Sequence, residues 1–131
     1  MEIKIGDIVE YKGQPCRVIT KQSSVTHPTR FELSVVCDEF IQKIDSNHVL
    51  LIESVDVPEL TVGDLVYIND VPKCERRRYE SLWVPEMDEY IGNWYQVTDT
   101  EDNYEFGPIV KLGDWWFQTY HLDPTGDYDI V

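Results

Sequence analysis

The sequence has few cysteines and no long apolar run. Its three cysteines, Cys16, Cys37 and Cys74, lie far apart in 131 residues, and none belongs to the C-x-x-C pair of a zinc ribbon or a redox motif. No stretch approaches the roughly 20 apolar residues that a membrane-spanning helix requires. Three thiols and the lack of a signal sequence therefore favour a reducing cytoplasm and no membrane. Cys16 and Cys37 lie in strand-like runs and are expected in the core.

Motifs of catalysis and of cofactor binding are also missing. The chain contains no G-x-S-x-G, no H-E-x-x-H, no P-loop and no glycine-rich dinucleotide turn. Its histidines, His27, His48 and His121, are dispersed. A Cys–His pair such as Cys37 with His48 stays open, because catalytic pairs meet in space rather than in sequence. The sequence therefore predicts a protein without enzymatic activity that binds neither a cofactor nor a metal ion.

Basic residues are scarce in the second half of the chain, and the net charge of the whole is −14. Residues 1–57 hold six basic and nine acidic side chains, a net charge of −3. Residues 58–131 hold five basic and sixteen acidic ones, a net charge of −11. Such a surface repels phosphate backbones and suits a partner with a basic surface, so no direct nucleic-acid binding is expected. The alternative is that these acids only keep the protein soluble.

Short β-strands account for most of the first half. The run from Ile3 to Thr20 predicts two strands around a turn at Lys12-Gly13-Gln14. A polar loop at 22–30 leads to a third strand, Phe31–Val36, and residues 41–53 predict a strand, a turn at 45–47 and a last strand. Five short strands in about fifty residues predict a small barrel or sandwich.

The opening of the first half is repeated 57 residues later. Ile5-Gly6-Asp7-Ile8-Val9 is echoed by Val62-Gly63-Asp64-Leu65-Val66, in which a glycine turn is followed by an Asp that can cap nearby N–H groups. The echo predicts an all-β protein of two tandem small barrels, residues 1–57 and 58–131.

The second barrel is expected to differ from the first by a long loop. Residues 69–87 form this inserted loop, and pairing resumes at 93–98. The acidic residues 99–103 are predicted to turn the chain into a strand at 104–106, which Gly107-Pro108 ends. The acidic turn lacks the glycine and glutamate of an EF-hand loop, because Tyr104 and Val110 stand at those positions. Residues 124–131 are expected to form a polar tail.

Several segments resemble known barrels. GDIVEYKGQPCRVI and HVLLIE are similar to the opening and closing strands of KOW-like or SH3-like barrels. In the second half, VGDLVYI, LWVPEMDEYIG and WWFQTYHLDP resemble small phage and prophage proteins of unknown function with an SH3-like domain related to the mind-bomb repeat. The resemblance covers roughly residues 60–124 and departs from the pattern at Tyr120-His121. It implies two SH3-like barrels, a phage or prophage origin, the host cytoplasm as location and no known catalytic residue. The barrel positions that it implies are Met87, Tyr90, Gly92, Trp115, Phe117, Leu122 and Pro124.

Side-chain alternation along the strands of the second half predicts which of its tryptophans point outward. If Val97 and Phe117 face the core, then Trp94 and Trp116 point outward. Two outward tryptophans predict an aromatic surface for a partner, because exposed Trp is favoured at binding hot spots. Tyr79 and Trp83 of the inserted loop are expected beside this surface. The alternative is that the loop folds over the two tryptophans and buries them.

The basic run Arg76-Arg77-Arg78 stands alone in an acidic domain. It is a candidate contact for an acidic partner or a phosphate. The alternative is internal pairing with Glu86, Asp88 or Glu89.

Three functions are compatible with these patterns. The favoured one is a binding or adaptor protein that engages a host or phage protein through the aromatic surface of the second barrel. The second is an acidic inhibitor whose carboxylates at 80–129 occupy the nucleic-acid cleft of a host defence or transcription protein. The third is an enzyme with a dispersed site in a deep pocket.

Overall fold

The chain folds into two antiparallel sheets of five strands each, so the all-β prediction is confirmed. A computed structural model describes residues 2–23, 31–38, 40–76 and 82–124. The first sheet contains β1 (Ile8–Tyr11), β2 (Gln14–Ser23), β3 (Phe31–Val36), β4 (Ile41–Asp45) and β5 (Leu50–Glu53). The second contains β6 (Leu65–Ile68), β7 (Trp94–Asn103), β8 (Gly107–Leu112), β9 (Trp115–Gln118) and β10 (Leu122–Pro124).

The two sheets have the same strand order. It is β4-β3-β2-β1-β5 in the first sheet and β9-β8-β7-β6-β10 in the second, so the fifth strand of each half pairs with the first. In each half a 3-10 helix precedes that fifth strand, Ser46–His48 in one and Thr119–His121 in the other. The connector between the sheets spans 54–64 and contains the predicted boundary at residue 57.

The echoed pentapeptide forms the same turn in both halves. Gly6 and Gly63 have φ angles of +96° and +99°, in the left-handed region that favours glycine. Asp7 Oδ2 accepts the N–H of Lys4 at 2.8 Å, and Asp64 Oδ2 accepts the N–H of Thr61 at 2.8 Å. Each aspartate therefore caps the turn three residues before it, as the sequence predicts.

Each half has its own apolar core. Alternating side chains of the first sheet face inward, and Cys16 and Cys37 are buried among them as predicted. The first core consists of Val9, Cys16, Val18, Leu33, Val35, Cys37, Ile44 and Val49. The second consists of Val66, Ile68, Val71, Trp83, Met87, Val97, Val110, Leu112, Phe117 and Leu122. Among the barrel positions implied by the resemblance, Met87, Phe117 and Leu122 are buried, Tyr90 and Trp115 pack against this core, and Pro124 is exposed.

The acidic hairpin turns later than predicted. β7 continues through Asn103, the turn is at 104–106, and Gly107 begins β8 instead of ending a strand. The side chain of Asn103 explains the position, because its Oδ1 accepts the N–H groups of Glu105 (2.9 Å) and Phe106 (3.0 Å). Gly107 then takes a φ of +77°, in the left-handed region that favours glycine.

The inserted loop contains two 3-10 helices, Lys73–Arg76 and Pro85–Tyr90, the second of which extends beyond the predicted end at 87. Residues 77–81 of the loop and 125–131 of the expected tail lie outside the described residues.

The two halves contact each other across the outer face of β2. Ile19 is 1% exposed, although alternation places it opposite the core residues of its strand. Its carbonyl accepts the Nε2–H of Gln118 at 2.8 Å, and the N–H of Lys21 donates to the carbonyl of Glu105 at 3.0 Å. Arg17 pairs with Glu75 at 3.2 Å and lies 5.2 Å from the Tyr120 ring. The second half thus covers a strand face that the first half alone would leave in water.

Candidate partner-binding surface

The outer face of the second sheet carries an aromatic pair. Trp94 opens β7 and is 48% exposed, whereas Val97 is buried, so the predicted outward direction of Trp94 is confirmed. Tyr67 on β6 lies directly opposite Trp94, and their ring centroids are 4.9 Å apart at an interplanar angle of 57°. Asp123 on β10 lies opposite Tyr67 on its other side. Residues directly opposite in a sheet share a face, so these three form a row across three strands. We call this row the Trp94 row.

The apolar surface extends one step along the strands. Leu65 and Gln96 lie opposite each other two residues from the Trp94 row, on the same face. Val62, in the turn before β6, is 63% exposed. The side chain of Gln96 donates to the carbonyl of Gly63 at 3.2 Å, which holds the turn against β7. The face therefore combines an aromatic pair with an aliphatic border.

Trp116 does not join this surface. It is half-buried on β9, opposite Lys111 of β8, and Lys111 in turn lies opposite Asp99 of β7. Asp99 is five residues beyond Trp94, a distance of about 16 Å along a strand. The structure thus places Trp94 and Trp116 on separate parts of the sheet rather than in one platform.

Trp83 lies in the core and not at the surface, because the inserted loop turns it inward. It is 2% exposed and contacts Phe117 edge-on at 5.5 Å. Its indole N–H donates to Asp88 Oδ1 at 2.6 Å. We therefore leave Trp83 out of the contact surface. Tyr79, the fourth aromatic residue predicted there, lies outside the described residues.

Arg76 forms an internal ion pair. Its guanidinium lies 3.3 Å from Asp88 Oδ2, so the internal-pairing alternative is confirmed for this residue. The Asp88 carboxylate thus holds both Arg76 and the indole of Trp83. Arg77 and Arg78 lie outside the described residues.

The β7–β8 hairpin carries an exposed acidic edge. Asp99, Glu101 and Asp102 are exposed, and no ion pair within the described ranges involves them. Glu101 and Asp102 also line a cleft of about 450 Å³ against Glu59 of the connector. The hairpin therefore presents three carboxylates to solvent.

Two buried ionisable groups, His121 and Cys16, are held in their uncharged forms. Burial lowers the pKa of His121 to about 3, so its imidazole is neutral. Burial raises the pKa of the Cys16 thiol to about 12, with Cys37 adding to the effect, so Cys16 remains a thiol. The Cys37 thiol donates to Gln14 Oε1 at 3.5 Å. Within the residues that the structure describes, no three His, Cys, Asp or Glu side chains form a group suited to a metal ion.

Sequence reasoning missed Tyr67 as a site residue. Its alternation with Val66 and Ile68 indicated an outward side chain, but only the strand register brings it beside Trp94.

The helices of the described ranges are short 3-10 turns, and none has the length or apolar character to cross a bilayer. Comparison of the chain with family models, with characterised proteins and with solved structures finds no match.

Proposed function

We propose that this chain is a non-enzymatic binding module of two tandem SH3-like barrels that engages a protein partner through the Trp94 row. The observation that carries the proposal is the exposed Trp94 paired with Tyr67 on an outer sheet face. The repeated strand order and the repeated glycine–aspartate turn support the tandem arrangement. The resemblance to phage and prophage proteins suggests a host protein in the host cytoplasm as the partner.

Energetics favour a contact role for this row. A tryptophan that is half-exposed on a strand face keeps apolar area in water, and burying it against a partner gains free energy. Hot-spot residues of protein interfaces are enriched in Trp and Tyr and each contribute about 2 kcal/mol or more. Loss of one such contact weakens binding by roughly 30-fold. The Trp94→Ala variant should therefore retain only a small fraction of the bound partner that the parent chain retains through this surface.

A pull-down with quantitative mass spectrometry tests the proposal. The tagged chain, its Trp94→Ala variant and its Tyr67→Ala variant are compared in lysate of a bacterial host. Tyr104→Ala serves as the matched control, because Tyr104 is 84% exposed but lies in the β7–β8 turn. We expect a partner that the parent chain and Tyr104→Ala retain and the other two variants lose. A partner set that stays the same in Trp94→Ala would refute the proposal, once near-ultraviolet circular dichroism has shown that the variant is folded.

The acidic edge of the β7–β8 hairpin favours a second candidate, an acidic inhibitor. Its carboxylates would occupy a basic cleft that otherwise binds nucleic acid. A complex of that kind weakens steeply as salt rises, because exposed charges are screened within about 8 Å at physiological ionic strength. Replacing Asp99, Glu101 and Asp102 together by Asn or Gln should weaken such a complex more than Trp94→Ala does. A complex that is indifferent to salt would exclude this candidate.

A further inference from the structure

We propose that the partner places an arginine side chain on the Trp94 row, with its guanidinium against the Tyr67 and Trp94 rings and its charge facing Asp123. This inference rests on the proposed function and specifies the chemistry of the partner.

The Trp94 row supplies both elements of guanidinium recognition. Trp is the strongest aromatic partner of a cation, and Arg stacks on aromatic faces more often than Lys does. Asp123 is exposed and lies one strand from Tyr67 and two strands from Trp94. Side chains directly opposite in a sheet are about 5 Å apart at Cβ, so a cation over the rings lies within reach of the Asp123 carboxylate. No ion pair among the described residues involves Asp123.

The same combination already occurs inside this molecule. At the junction of the halves, the Arg17 guanidinium lies 5.2 Å from the Tyr120 ring centre and 3.2 Å from Glu75 Oε1. A cation, a tyrosine ring and a carboxylate thus form one contact there. The Trp94 row presents the ring and the carboxylate on the surface, together with a second ring.

Charge complementarity selects a basic partner. The chain carries a net charge of −14, most of it in the half that contains the Trp94 row. Of the cations described in that half, Arg76 is held by Asp88. A field of this sign attracts cations to the surface and repels acidic competitors. An arginine within a basic segment therefore fits better than a neutral apolar side chain.

Indole NMR signals provide a direct test. The four tryptophans give separate indole N–H signals, and the one that disappears in Trp94→Phe is assigned to Trp94. The probe is N-acetyl-arginine methylamide, and its neutral counterpart is the citrulline compound, which has the same shape without the charge. We expect the arginine probe to shift the Trp94 signal with a dissociation constant in the millimolar range and the citrulline probe to leave it in place. N-acetyl-lysine methylamide should bind more weakly than the arginine probe.

Asp123→Asn tests the charge of the site. It should weaken the arginine probe by about two- to fivefold, as expected for an exposed ion pair. Asp114→Asn is the matched control, because Asp114 is an exposed carboxylate in the β8–β9 turn of the same half, and it should change nothing. An equal shift with citrulline, or equal weakening by both variants, would overturn the inference. A Trp94 signal that moves with protein concentration in the absence of probe would instead identify a second copy of the chain as the occupant and would also overturn it.

The two proposals can fail separately. If Trp94→Ala releases a partner but neither Asp123→Asn nor competing arginine probe affects that complex, the binding function stands and the cationic contact is wrong. If the arginine probe shifts Trp94 while Trp94→Ala retains every partner, the recognition chemistry stands and the proposed function is wrong.

Discussion

Arg17→Met removes the guanidinium at the junction of the two halves but keeps an unbranched stem of similar length. In the native protein Arg17 Nε donates to Glu75 Oε1 at 3.2 Å, and Nη1 donates to the carbonyl of Gly6 at 2.6 Å. Glu75 is only 8% exposed. The variant therefore takes the Arg17 cation away from a buried carboxylate, and we expect a marked loss of stability.

The size of the loss follows from the burial of the pair. Removing one partner of a buried ion pair costs about 3–5 kcal/mol, and the lower end, about 3 kcal/mol, applies here because Arg17 is 22% exposed. Burial raises the pKa of Glu75 above 4.5, and Arg17 opposes that rise. Without Arg17 the pKa of the Glu75 carboxyl rises further. Between pH 4.5 and that raised pKa, the folded variant keeps a proton on Glu75 that the unfolded chain has lost. Its stability then falls as the pH increases above 4.5, and the cost of the substitution is greater at pH 8 than at pH 5.

Urea unfolding at pH 5 and pH 8, followed by tryptophan fluorescence, measures this cost. Glu75→Gln should be milder, because it keeps an acceptor for Arg17 and removes the buried charge. The double variant should be more stable than the sum of the two single losses predicts. Strict additivity, or an equal loss from Arg17→Met at both pH values, would refute the reasoning.

Three further predictions concern single residues. Gly6→Ala should lower the thermal midpoint more than Gly63→Ala, because both glycines have a positive φ but only at Gly6 would a Cβ meet Tyr120, at 3.1 Å; equal losses would contradict this. Burial raises the pKa of Cys16 to about 12, so iodoacetamide at pH 8 should label it far more slowly in the folded protein than in urea, as peptide mass spectrometry would show. Similar labelling rates would show that the thiol is reactive. Burial lowers the pKa of His121 to about 3, so its imidazole NMR signals should stay in the neutral position from pH 8 to pH 5, and its contribution to stability should fall as the pH drops below 6.5 because only the unfolded chain takes up the proton. A midpoint near 6.5 in the folded protein would contradict the burial.

Local patterns in the sequence predicted the strands well. Period-two alternation placed Val97 and Phe117 in the core and Trp94 outside, because side chains of a strand alternate strictly between its faces. The echoed glycine and aspartate predicted two equivalent turns, since a positive φ and an Asp cap are local requirements. These features depend on neighbours in sequence, which a single sequence contains.

Features that depend on contacts between distant residues could not be predicted. The pairing of Tyr67 with Trp94 requires the register of β6 against β7 across the inserted loop. Strand alternation places Ile19 opposite the core residue Val18, yet Ile19 is buried where the second half bonds to β2. Trp83 was expected at the surface because a loop residue gives no periodic signal, yet it completes the second core. The acidic residues predicted the turn at 99–103. The structure has it at 104–106, where the side chain of Asn103 accepts two backbone N–H groups.

The contacts across β2 have a consequence for the cost of binding. Because Gln118 and Glu105 bond to the backbone of β2, the connector is not alone in determining how the halves are oriented. A ligand that reached from one half to the other would meet a surface assembled beforehand. Its binding would cost less configurational entropy than binding to two domains that are joined only by a flexible linker and reorient independently.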